Sequence, residues 1–502
     1  MTVKALKIED NDNVAVVIEN VSAGDLIALI KENLTIKATK DIPVGHKVAI
    51  KEIKKDDFIV KYGIPIGKAA IDINVGDFVH EHNVIDITED LCAVYRNDFI
   101  KDKTIYAYKR KGNQFGIRNH IVIFSTSIKA NELAEKLSNK YGVYWFVVDK
   151  FQLVNNKISD YTIHIIKNLA KNPNIYASII LGEDDDYKYL DEYLEDFAIS
   201  KYVDIKDEHK AEKYILEYKS EISKLKREYL PLSGLKVAVH CAGSDWTTAL
   251  TGNPVVGEAA NLIVKDGGFI YMDEWIGFPG SEHLLASHSS SRRVSLEILD
   301  KVQEIRDEIY KETGKKVEEI NPVPANKKGG ITTLVEKSTG NIKKAGNVSL
   351  VGILKPGEEP EIPGLYILDN KNSAPASTGQ YGALSGAHIH IQVSGVGFIY
   401  DEVPILADIR VTGNPQSFKN PIYKLDFNAG EVFDGKSLSE IGEKLYKFIL
   451  DVASGNIETK SEIDKSLAIT YNYQQSKFRG EEYILAETYK SKHKYKVDSI
   501  KR

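Results

Sequence analysis

The sequence predicts an α/β protein in which a small, mostly β module is followed by two α/β domains with largely parallel sheets. Short β-rich runs separated by turns fill the first ninety residues, whereas apolar runs of strand length alternate with helical segments farther along. With 502 residues the chain is too long for one hydrophobic core. We therefore predict three domains, at residues 1–95, 96–230 and 231–502.

The N-terminal module is predicted from its β-rich runs. Asn13–Val17 and Lys47–Ile50 are two such runs, each bounded by turn signals, and helical signals are sparse between them. A polar stretch from Arg96 to Lys103 then predicts a linker.

The middle domain is predicted from one βαβ pattern. Apolar runs at His120–Thr126 and Ala177–Leu181 have the length of buried strands, and Asn131–Lys140 between them has helical periodicity. A charged helix over Glu208–Tyr229 is predicted to lead into the third domain.

The third domain repeats this alternation, which predicts a second parallel sheet. The predicted strands are Leu235–His240, Phe269–Met272, Val348–Leu354, Leu365–Leu368, His388–Val393 and Ile409–Thr412. The predicted helices are Val255–Lys265, Ser295–Thr313 and Leu438–Leu450.

Composition narrows the classes of function. The formal net charge is −6 and no basic stripe is present, so we expect no nucleic-acid partner. The chain shows neither the apolar core of a signal peptide nor a segment of membrane-spanning length, so we expect a cytoplasmic protein with no membrane partner. Because Cys92 and Cys241 are the only cysteines, we expect no Cys-ligated iron–sulfur cluster. Any metal must use His, carboxylate or water ligands.

Three histidines in the N-terminal module form a candidate metal site. His80 and His82 are two residues apart, and in an extended strand both imidazoles point to the same side. His46 follows a turn and is a possible third member. The alternative is a pair of surface histidines at the end of a strand.

The segment Asn321–Thr333 forms a candidate carboxylate site. Thr333 and Glu336 have the spacing of a capping box, so free backbone N–H groups and a helix dipole would face a ligand in front of the loop. Lys327 and Lys337 add positive charge. The alternative is an ordinary capped helix after a glycine turn, which leaves the Pro- and Asn-rich approach unexplained.

Polar residues follow several predicted strands of the third domain. Asp245 and Asn253 come after the first strand, and Glu274 follows the second. Ser377–Gln380 and Thr412–Pro415 are similar polar segments. Because ligands bind at the carboxyl ends of strands in open α/β sheets, these residues predict a polar crevice able to hold hydroxyl groups.

These motifs resemble the altronate/galactarate dehydratase family, which includes sulfolactate sulfo-lyases. The N-terminal module resembles the family's small SAF-type β domain, and the middle domain has the FGIRNH opening (Phe115–His120). The third domain carries the remaining family motifs in order, TGNPVVGEAANLIVKDGG, SEHLL, NPVPANKKGGITTLVEKSTGNIKKAG, STGQYGALSGA and LDFNAG.

The middle domain departs from the family because Lys129 stands where a cysteine is usual. In the third domain Trp246 replaces a usual glycine, and His388 and His390 replace aliphatic residues; packed strand histidines are favoured there over a metal site.

The resemblance implies a β-elimination that removes water from an aldonic or aldaric acid, such as altronate or galactarate, to give a 2-keto-3-deoxy acid. The developing enediolate needs a metal ion or cationic groups near the carboxylate, and we expect Fe²⁺ or Mn²⁺, with Mg²⁺ as an alternative. His80 and His82, with His46 as a third ligand or catalytic group, are expected to bind the metal. Lys327 is expected to act as base or electrostatic partner, with Glu274 and His283 as further acid/base candidates. The expected substrate-binding residues are Asp245, Asn253, Asn326, Thr332, Thr333 and Lys337.

Two alternatives stay open at this stage. A sulfo-lyase would release sulfite instead of water, and a non-catalytic homologue would only bind a sugar acid. A homo-oligomer is expected for an enzyme of this size.

Overall fold

The computed structural model describes two compact units, Met1–Asn97 and Asp98–Arg502. It describes all residues except 1, 8–9, 31, 62–63, 86–102, 113, 148–152, 155–156, 159, 184–199, 370–376, 398–402, 465–467 and 470–502. The predicted linker, apart from Lys103, and the final thirty residues therefore lie outside the described residues, as does Cys92.

The first unit consists of β-strands, with no helix among its described residues, which confirms the prediction of a mostly β module. One sheet has six strands in the order β4-β3-β1-β2-β5-β8, and another has three in the order β6-β7-β9. The strands are β1 (Thr2–Leu6), β2 (Val14–Val17), β3 (Leu26–Leu29), β4 (Thr35–Lys37), β5 (Lys47–Ala49), β6 (Phe58–Lys61), β7 (Ile64–Ala69), β8 (Phe78–Val79) and β9 (Val84–Ile85).

Alternation of side chains builds the core of this unit. Val3 and Ala5 of β1 are buried while their neighbours in the strand face outward, as a period of two requires. They pack with Ile27 and Val48 in one hydrophobic cluster, and a smaller cluster lies around Ile59.

The second unit contains a five-stranded parallel sheet in the order β17-β16-β12-β13-β26. The two strands predicted for this region are present in it. Its strands and the short neighbouring ones are β10 (Thr104–Lys109), β11 (Phe115–Gly116), β12 (His120–Ser125), β13 (Tyr144–Phe146), β14 (Leu153–Val154), β15 (Lys157–Ile158), β16 (Ile175–Gly182), β17 (Ser200–Asp204), β18 (Glu228–Pro231) and β26 (Ala468–Ile469).

The predicted helix over Glu208–Tyr229 is too long. The helix ends at Ile222, and Glu228–Pro231 forms a strand that pairs antiparallel with β10. Charge and periodicity could not reveal this end because the strand partner lies more than a hundred residues earlier in the chain.

A seven-stranded parallel sheet, in the order β21-β22-β20-β19-β23-β24-β25, completes the unit. All six strands predicted for this region are present, with ends shifted by up to two residues. The sheet consists of β19 (Lys236–Cys241), β20 (Phe269–Met272), β21 (Leu350–Leu354), β22 (Gly364–Leu368), β23 (Ile389–Val393), β24 (Ala407–Thr412) and β25 (Phe427–Asn428), of which only the short β25 was not predicted.

Thirteen α-helices are described, all in the second unit. They are α1 (Ile128–Tyr141), α2 (Asp160–Ala170), α3 (Glu208–Ile222), α4 (Asn253–Lys265), α5 (Glu282–Ser287), α6 (Arg292–Thr313), α7 (Val317–Ile320), α8 (Pro324–Lys328), α9 (Leu334–Ile342), α10 (Ser377–Leu384), α11 (Pro415–Lys419), α12 (Leu438–Ser454) and α13 (Lys460–Asp464). Thr248–Gly252 forms a π-helix, and 3₁₀ turns occur at Trp275–Gly277, Lys343–Ala345, Pro421–Tyr423 and Ala429–Asp434.

The two large parallel sheets of the second unit share one hydrophobic cluster. Phe124 and Phe146 from the five-stranded sheet pack in the same cluster as Ala238 and Tyr271 from the seven-stranded sheet. Hydrogen bonds also join the two halves, since Asn172 donates to the backbone oxygens of residues 383 and 387 at 2.9 and 3.0 Å. The boundary predicted between the middle and third domains, near residue 230, therefore falls inside one compact unit. The division of this unit into two domains stays a prediction.

Within the described part of the chain, no helix combines the length and apolar character needed to cross a bilayer.

Candidate active site

A cavity of about 300 Å³ lies at the carboxyl ends of β19 and β20. In the seven-stranded sheet β19 is the strand from which the chain first moves to β20 and later returns to β23 on the other side. Such a switch in strand order leaves an open crevice outside the carboxyl ends, the usual ligand site of an open α/β sheet. The cavity lies where the polar strand ends predicted a crevice.

Lys337 supplies a cation to this cavity. Its ammonium group donates to the side-chain oxygens of Asn321 at 2.6 Å and Asn326 at 2.9 Å, and all three residues line the cavity. No carboxylate of the described residues pairs with Lys337. Burial lowers the pKa of Lys337, partly offset by the Cys241 side chain. An ammonium group held by neutral amides favours an anionic ligand, because an anion would supply the missing counter-charge.

Cys241, Glu274 and Lys344 form a second polar cluster. Cys241 and Glu274 line the cavity, and the fully buried Lys344 lies behind them with its ammonium paired to the Glu274 carboxylate. Lys344 Nζ is 3.4 Å from Cys241 Sγ and also donates to Asn341. Cys241 Sγ lies 3.6 Å from Glu274 Oε1.

The electrostatics of this cluster favour the thiolate of Cys241. Burial by itself raises the pKa of the Cys241 thiol, but the Lys344 ammonium and hydrogen bonds from Ser244, Asn253 and Lys344 outweigh it, so the pKa is lowered. Burial lowers the pKa of Lys344, while Cys241 and Asp273 act in the opposite direction. The two groups therefore stabilise each other as an ion pair.

Asn253 adds an acceptor that the protein leaves unsatisfied. It is the first residue of α4 and only 2% exposed. Its amide nitrogen donates to the backbone oxygen of Gly340 at 2.8 Å, whereas its Oδ1 has no hydrogen-bond partner among the described residues. Because Asn253 lines the cavity, a ligand hydroxyl could donate to this oxygen.

Asp245 is buried and holds the loop that follows β19. Its carboxylate accepts from the Thr247 hydroxyl at 2.6 Å and from the Thr248 backbone at 3.0 Å. It is not among the residues that line the cavity. Asp245 therefore positions the start of the π-helix, and its contact with the substrate stays a prediction.

Thr332 and Thr333 are exposed and occupied by capping α9. The Thr333 hydroxyl accepts from the Glu336 backbone at 3.2 Å, and the Glu336 carboxylate accepts from the Thr332 backbone at 2.8 Å. The predicted capping interaction is therefore present. However, the anion at this helix N-terminus is the protein's own Glu336, and neither threonine lines the cavity.

Lys327 and His283 also lie outside the cavity lining. Both side chains are exposed, Lys327 on α8 and His283 on α5. Their predicted acid/base roles have no contact with the cavity residues to support them. Asn326, Asn253, Lys337 and Glu274, in contrast, all line the one cavity.

The three histidines of the first unit gather around Phe78. The His46 and His80 ring centroids are 5.0 Å apart, and the His82 ring lies 5.5 Å from that of Phe78. The strand ends at Val79, so the expected extended geometry for His80 and His82 is wrong. The Asn83 side chain accepts from the His80 backbone at 2.9 Å and closes a turn instead.

The described residues do not fit a preformed metal site. No group of three or more His, Cys, Asp or Glu side chains is arranged to hold an ion anywhere in the described part of the chain. In the cavity the Lys344 ammonium already lies beside both acidic groups, Cys241 and Glu274. We therefore derive no chemical step through a metal.

His388 and His390 are packed inside the sheet, as predicted. The His388 ring contacts the backbone oxygen of Phe115 at 2.8 Å and accepts from the Lys236 backbone at 3.1 Å. His390 stacks on His240, with ring nitrogens 2.8 Å apart, and pairs with Asp408 at 3.0 Å.

Sequence reasoning missed Cys241, Lys344 and Asn341 as site residues. Cys241 is the last residue of a strand whose carboxyl end was already expected to carry a ligand, so its position was a usable signal. Lys344 lies in a 3₁₀ turn after α9 and appears in the sequence as one of many surface-like lysines. Only the fold shows that its side chain is buried.

Fold and site together define an α/β protein with a polar cavity, lined by the Lys337 side chain, at the switch point of a parallel sheet.

Comparison with known proteins specifies this class further. Three family models match successive parts of the chain: the altronate/galactarate dehydratase SAF domain at residues 3–86, the D-galactarate dehydratase/altronate hydrolase second domain at 107–227, and the D-galactarate/altronate dehydratase C-terminal domain at 232–475. The chain belongs to the galactarate/altronate dehydratase family.

Similar proteins align over most of the chain. The altronate dehydratase of Escherichia coli strain K12 is 28% identical over 90% of this chain and 95% of its own length. That of Bacillus subtilis strain 168 is 29% identical over 92% and 98%. The (2R)-sulfolactate sulfo-lyase subunit beta of Chromohalobacter salexigens is 28% identical over 71% and 94%.

Proposed function

We propose that this protein is a sugar-acid hydro-lyase, which removes water from an aldonic or aldaric acid such as altronate or galactarate and forms a 2-keto-3-deoxy acid. The observation that carries the proposal is the cavity ammonium of Lys337, whose partners are the neutral amides of Asn321 and Asn326. Relatives named as altronate dehydratases, aligned over nearly their whole length, support it.

The cavity offers complementary contacts to both parts of such a substrate. The carboxylate pairs with Lys337, and a hydroxyl donates to the unsatisfied Oδ1 of Asn253. A cavity of about 300 Å³ is at the lower end of the range for small-molecule sites. A polyhydroxy acid with a short carbon chain is therefore favoured over a larger ligand.

The same contacts assist the elimination. The proton at C2, next to the carboxylate, is very weakly acidic, and its removal places negative charge on the carboxylate oxygens. The Lys337 ammonium stabilises this charge more strongly in the enediolate than in the substrate, as electrostatic catalysis requires. Glu274 lines the cavity. In the proposed reaction its carboxyl group transfers a proton to the departing C3 hydroxyl.

The divalent metal, Fe²⁺ or Mn²⁺ before Mg²⁺, remains part of the proposal as a cofactor whose ligands are unassigned. When bound, such an ion would act as a Lewis acid on the substrate carboxylate.

The test is direct. The purified chain is incubated anaerobically with Fe²⁺, Mn²⁺ or Mg²⁺ and a panel of aldonic and aldaric acids that includes altronate and galactarate, and 2-keto-3-deoxy acids are detected. We expect one acid to be turned over. Silence across the panel, together with thermal stabilisation by one of the acids, would indicate a non-catalytic binding protein.

A sulfo-lyase is the second candidate. The sulfolactate sulfo-lyase subunit beta aligns with 71% of this chain, so sulfolactate belongs in the same panel. Release of sulfite without formation of a 2-keto-3-deoxy acid would replace the hydro-lyase by this activity.

A further inference from the structure

Cys241 lies at the meeting point of the two polar clusters of the cavity. Its Sγ is 3.4 Å from Lys344 Nζ, 3.4 Å from the Ser244 hydroxyl and 3.7 Å from the Asn253 amide nitrogen. The donors converge on the sulfur from a 3₁₀ turn, the loop after β19 and the start of α4. These donors stabilise a thiolate, and the side-chain oxygens of Glu274 and Asn341, 3.6 and 3.4 Å from the sulfur, accept the S–H proton when Cys241 is protonated.

The same cavity has an independent sign of a missing ligand. Asn253 is 2% exposed, contacts Cys241 through its amide nitrogen, and keeps Oδ1 without a partner among the described residues. A substrate hydroxyl that donates to this oxygen is therefore held beside the sulfur. Lys337 lines the same cavity as Cys241, so an acid bound to its ammonium is held in the cavity that the sulfur faces.

We propose that the Cys241 thiolate is the base that removes the C2 proton of the sugar acid, with Lys344 as the positioning residue that keeps it ionised. This proposal rests on the proposed function. The charged groups in contact with the sulfur are the Lys344 ammonium and the Glu274 carboxylate, and its neutral contacts are the Ser244 hydroxyl and the Asn253 and Asn341 side chains. The Lys337 ammonium is the other cation on the cavity wall. Lys344 is fully buried and does not line the cavity, so it acts through Cys241 and Glu274.

The elimination balances with these groups. The C2–H bond breaks, its proton forms an S–H bond on Cys241, and its electron pair enters the enediolate held by Lys337. The enediolate then expels the C3 hydroxyl, which receives the proton from the thiol through the Glu274 carboxylate, 3.6 Å from the sulfur, and leaves as water. The thiolate is restored, and the enol product tautomerises to the 2-keto-3-deoxy acid.

The state of the thiol is tested first, without substrate. A Cys92→Ser parent leaves Cys241 as the only thiol of the chain. We expect its alkylation by iodoacetamide to follow a titration with a midpoint below the ordinary cysteine value of about 8.5, and Lys344→Met to move that midpoint upward. Two results would contradict the ion pair between Cys241 and Lys344: an alkylation midpoint at or above about 8.5 in the parent, or a midpoint that is the same in Lys344→Met as in the parent.

The catalytic role is tested with the sugar acid that the panel identifies. Cys241→Ser keeps the shape of the side chain but replaces the thiolate by a far weaker base, and we expect kcat to fall by about 100-fold or more while KM changes little. Cys241→Ala should show the same fall in kcat. Binding of the sugar acid should slow the alkylation of Cys241 in the parent. Thermal melting checks that each variant is folded. If a variant does not fold, the parent protein alkylated with iodoacetamide at Cys241 replaces it in the assay and should show the same loss of kcat.

Isotope exchange separates the base from a structural role. The wild-type chain should show slower turnover of C2-deuterated acid than of the protonated acid, and Cys241→Ser should lose exchange of the C2 hydrogen with solvent. Retained exchange and turnover in Cys241→Ser would refute the proposal while the proposed function stands. No turnover by the wild-type chain on any acid would instead refute the proposed function, whatever the alkylation result.

Discussion

Lys337 and Lys344 differ in function because their partners differ. Lys344 is fully buried beside Glu274 and Cys241, so its charge is compensated within the protein. Lys337 faces the cavity with amide oxygens as its partners, so its charge is available to a substrate. Two lysines seven residues apart thus support the thiolate and the carboxylate, respectively.

The contribution of Lys337 can be measured with Lys337→Met, which keeps the length of the side chain without its charge. We expect kcat/KM for the sugar acid to fall roughly 10- to 100-fold, the usual value of a hydrogen bond to a charged group. Lys328→Met, an exposed substitution on α8, is the matched control and should leave kcat/KM unchanged. An unchanged kcat/KM in Lys337→Met would remove this residue from the carboxylate site.

His388 makes stability depend on pH. Burial, and then the charge of Lys236, lower its pKa from 6.5 to about 3. In the unfolded chain His388 binds a proton near pH 6.5, whereas in the folded chain it does so only near pH 3. Its contribution to the free energy of unfolding is therefore fully present above pH 6.5 and falls as the pH drops toward 3. The loss is roughly 1.4 kcal/mol per pH unit within this window.

The measurement is thermal melting of the wild-type chain and of His388→Gln between pH 7 and pH 4. Glutamine keeps a hydrogen-bond donor and acceptor but does not titrate in this range. We expect the melting temperature of the wild-type chain to fall more steeply with acid than that of His388→Gln. Parallel curves for the two proteins would show that another group dominates.

At the scale of elements, α9 connects the capped loop to the cavity. Its N-terminus is held by Thr333 and Glu336, and Lys337 and Asn341, one turn apart, both face the cavity. The following 3₁₀ turn carries Lys344. One short segment therefore presents the carboxylate-binding cation and the cation that supports Cys241.

The cap of α9 can be weakened without touching the cavity. Thr333→Ala removes the hydroxyl that accepts from the Glu336 backbone, and we expect a loss of about 1 kcal/mol in the free energy of unfolding. Thr333→Ser keeps the hydroxyl and should stay near the wild type. Because Thr333 does not line the cavity, kcat should change by less than about threefold in Thr333→Ala. A much larger fall in kcat, with stability retained, would restore the predicted substrate contact.

Close packing places the 3₁₀ turn against α4. A Cβ atom on Gly257 would lie 2.2 Å from the backbone oxygen of Lys343, so only glycine permits this approach. We expect Gly257→Ala to cost about 1–3 kcal/mol by forcing the two elements apart. Because Lys344 would move with its turn, the alkylation midpoint of Cys241 should also rise. Denaturant unfolding and iodoacetamide titration of the same variant measure the two effects.

At the scale of the whole molecule, the first unit holds the predicted metal ligands and the second unit holds the cavity. The metal prediction is tested by removing metal with a chelator and restoring activity with Fe²⁺, Mn²⁺ or Mg²⁺. Because the described side chains form no preformed metal site, we expect His82→Ala and His46→Ala to keep the metal requirement of the wild type. A higher metal concentration for half-maximal activity in either variant would restore these histidines as metal ligands. Light scattering tests the predicted homo-oligomer independently.

The sequence by itself determined the main strands of the two parallel sheets, most of the long helices and the family. Apolar runs such as Phe269–Met272 are buried on both faces, so their composition alone indicated strands of a parallel sheet. Motifs spread over the chain identified the family before any contact was known. Polar residues that follow a strand, such as Asn253 at the start of α4 and Glu274 after β20, were also within reach of sequence reasoning, since parallel strands place their carboxyl ends at one edge.

Only the tertiary structure decided what each charged side chain does. Lys327, Lys337 and Lys344 carry the same charge in one stretch of sequence, yet the first is exposed, the second faces the cavity and the third is fully buried. The long-range pairing of β18 and the Asn83 turn likewise overrode the local patterns at Glu208–Tyr229 and at His80–His82. The physical reason is that burial and ion pairing depend on groups brought together from distant parts of the chain, which local periodicity does not encode.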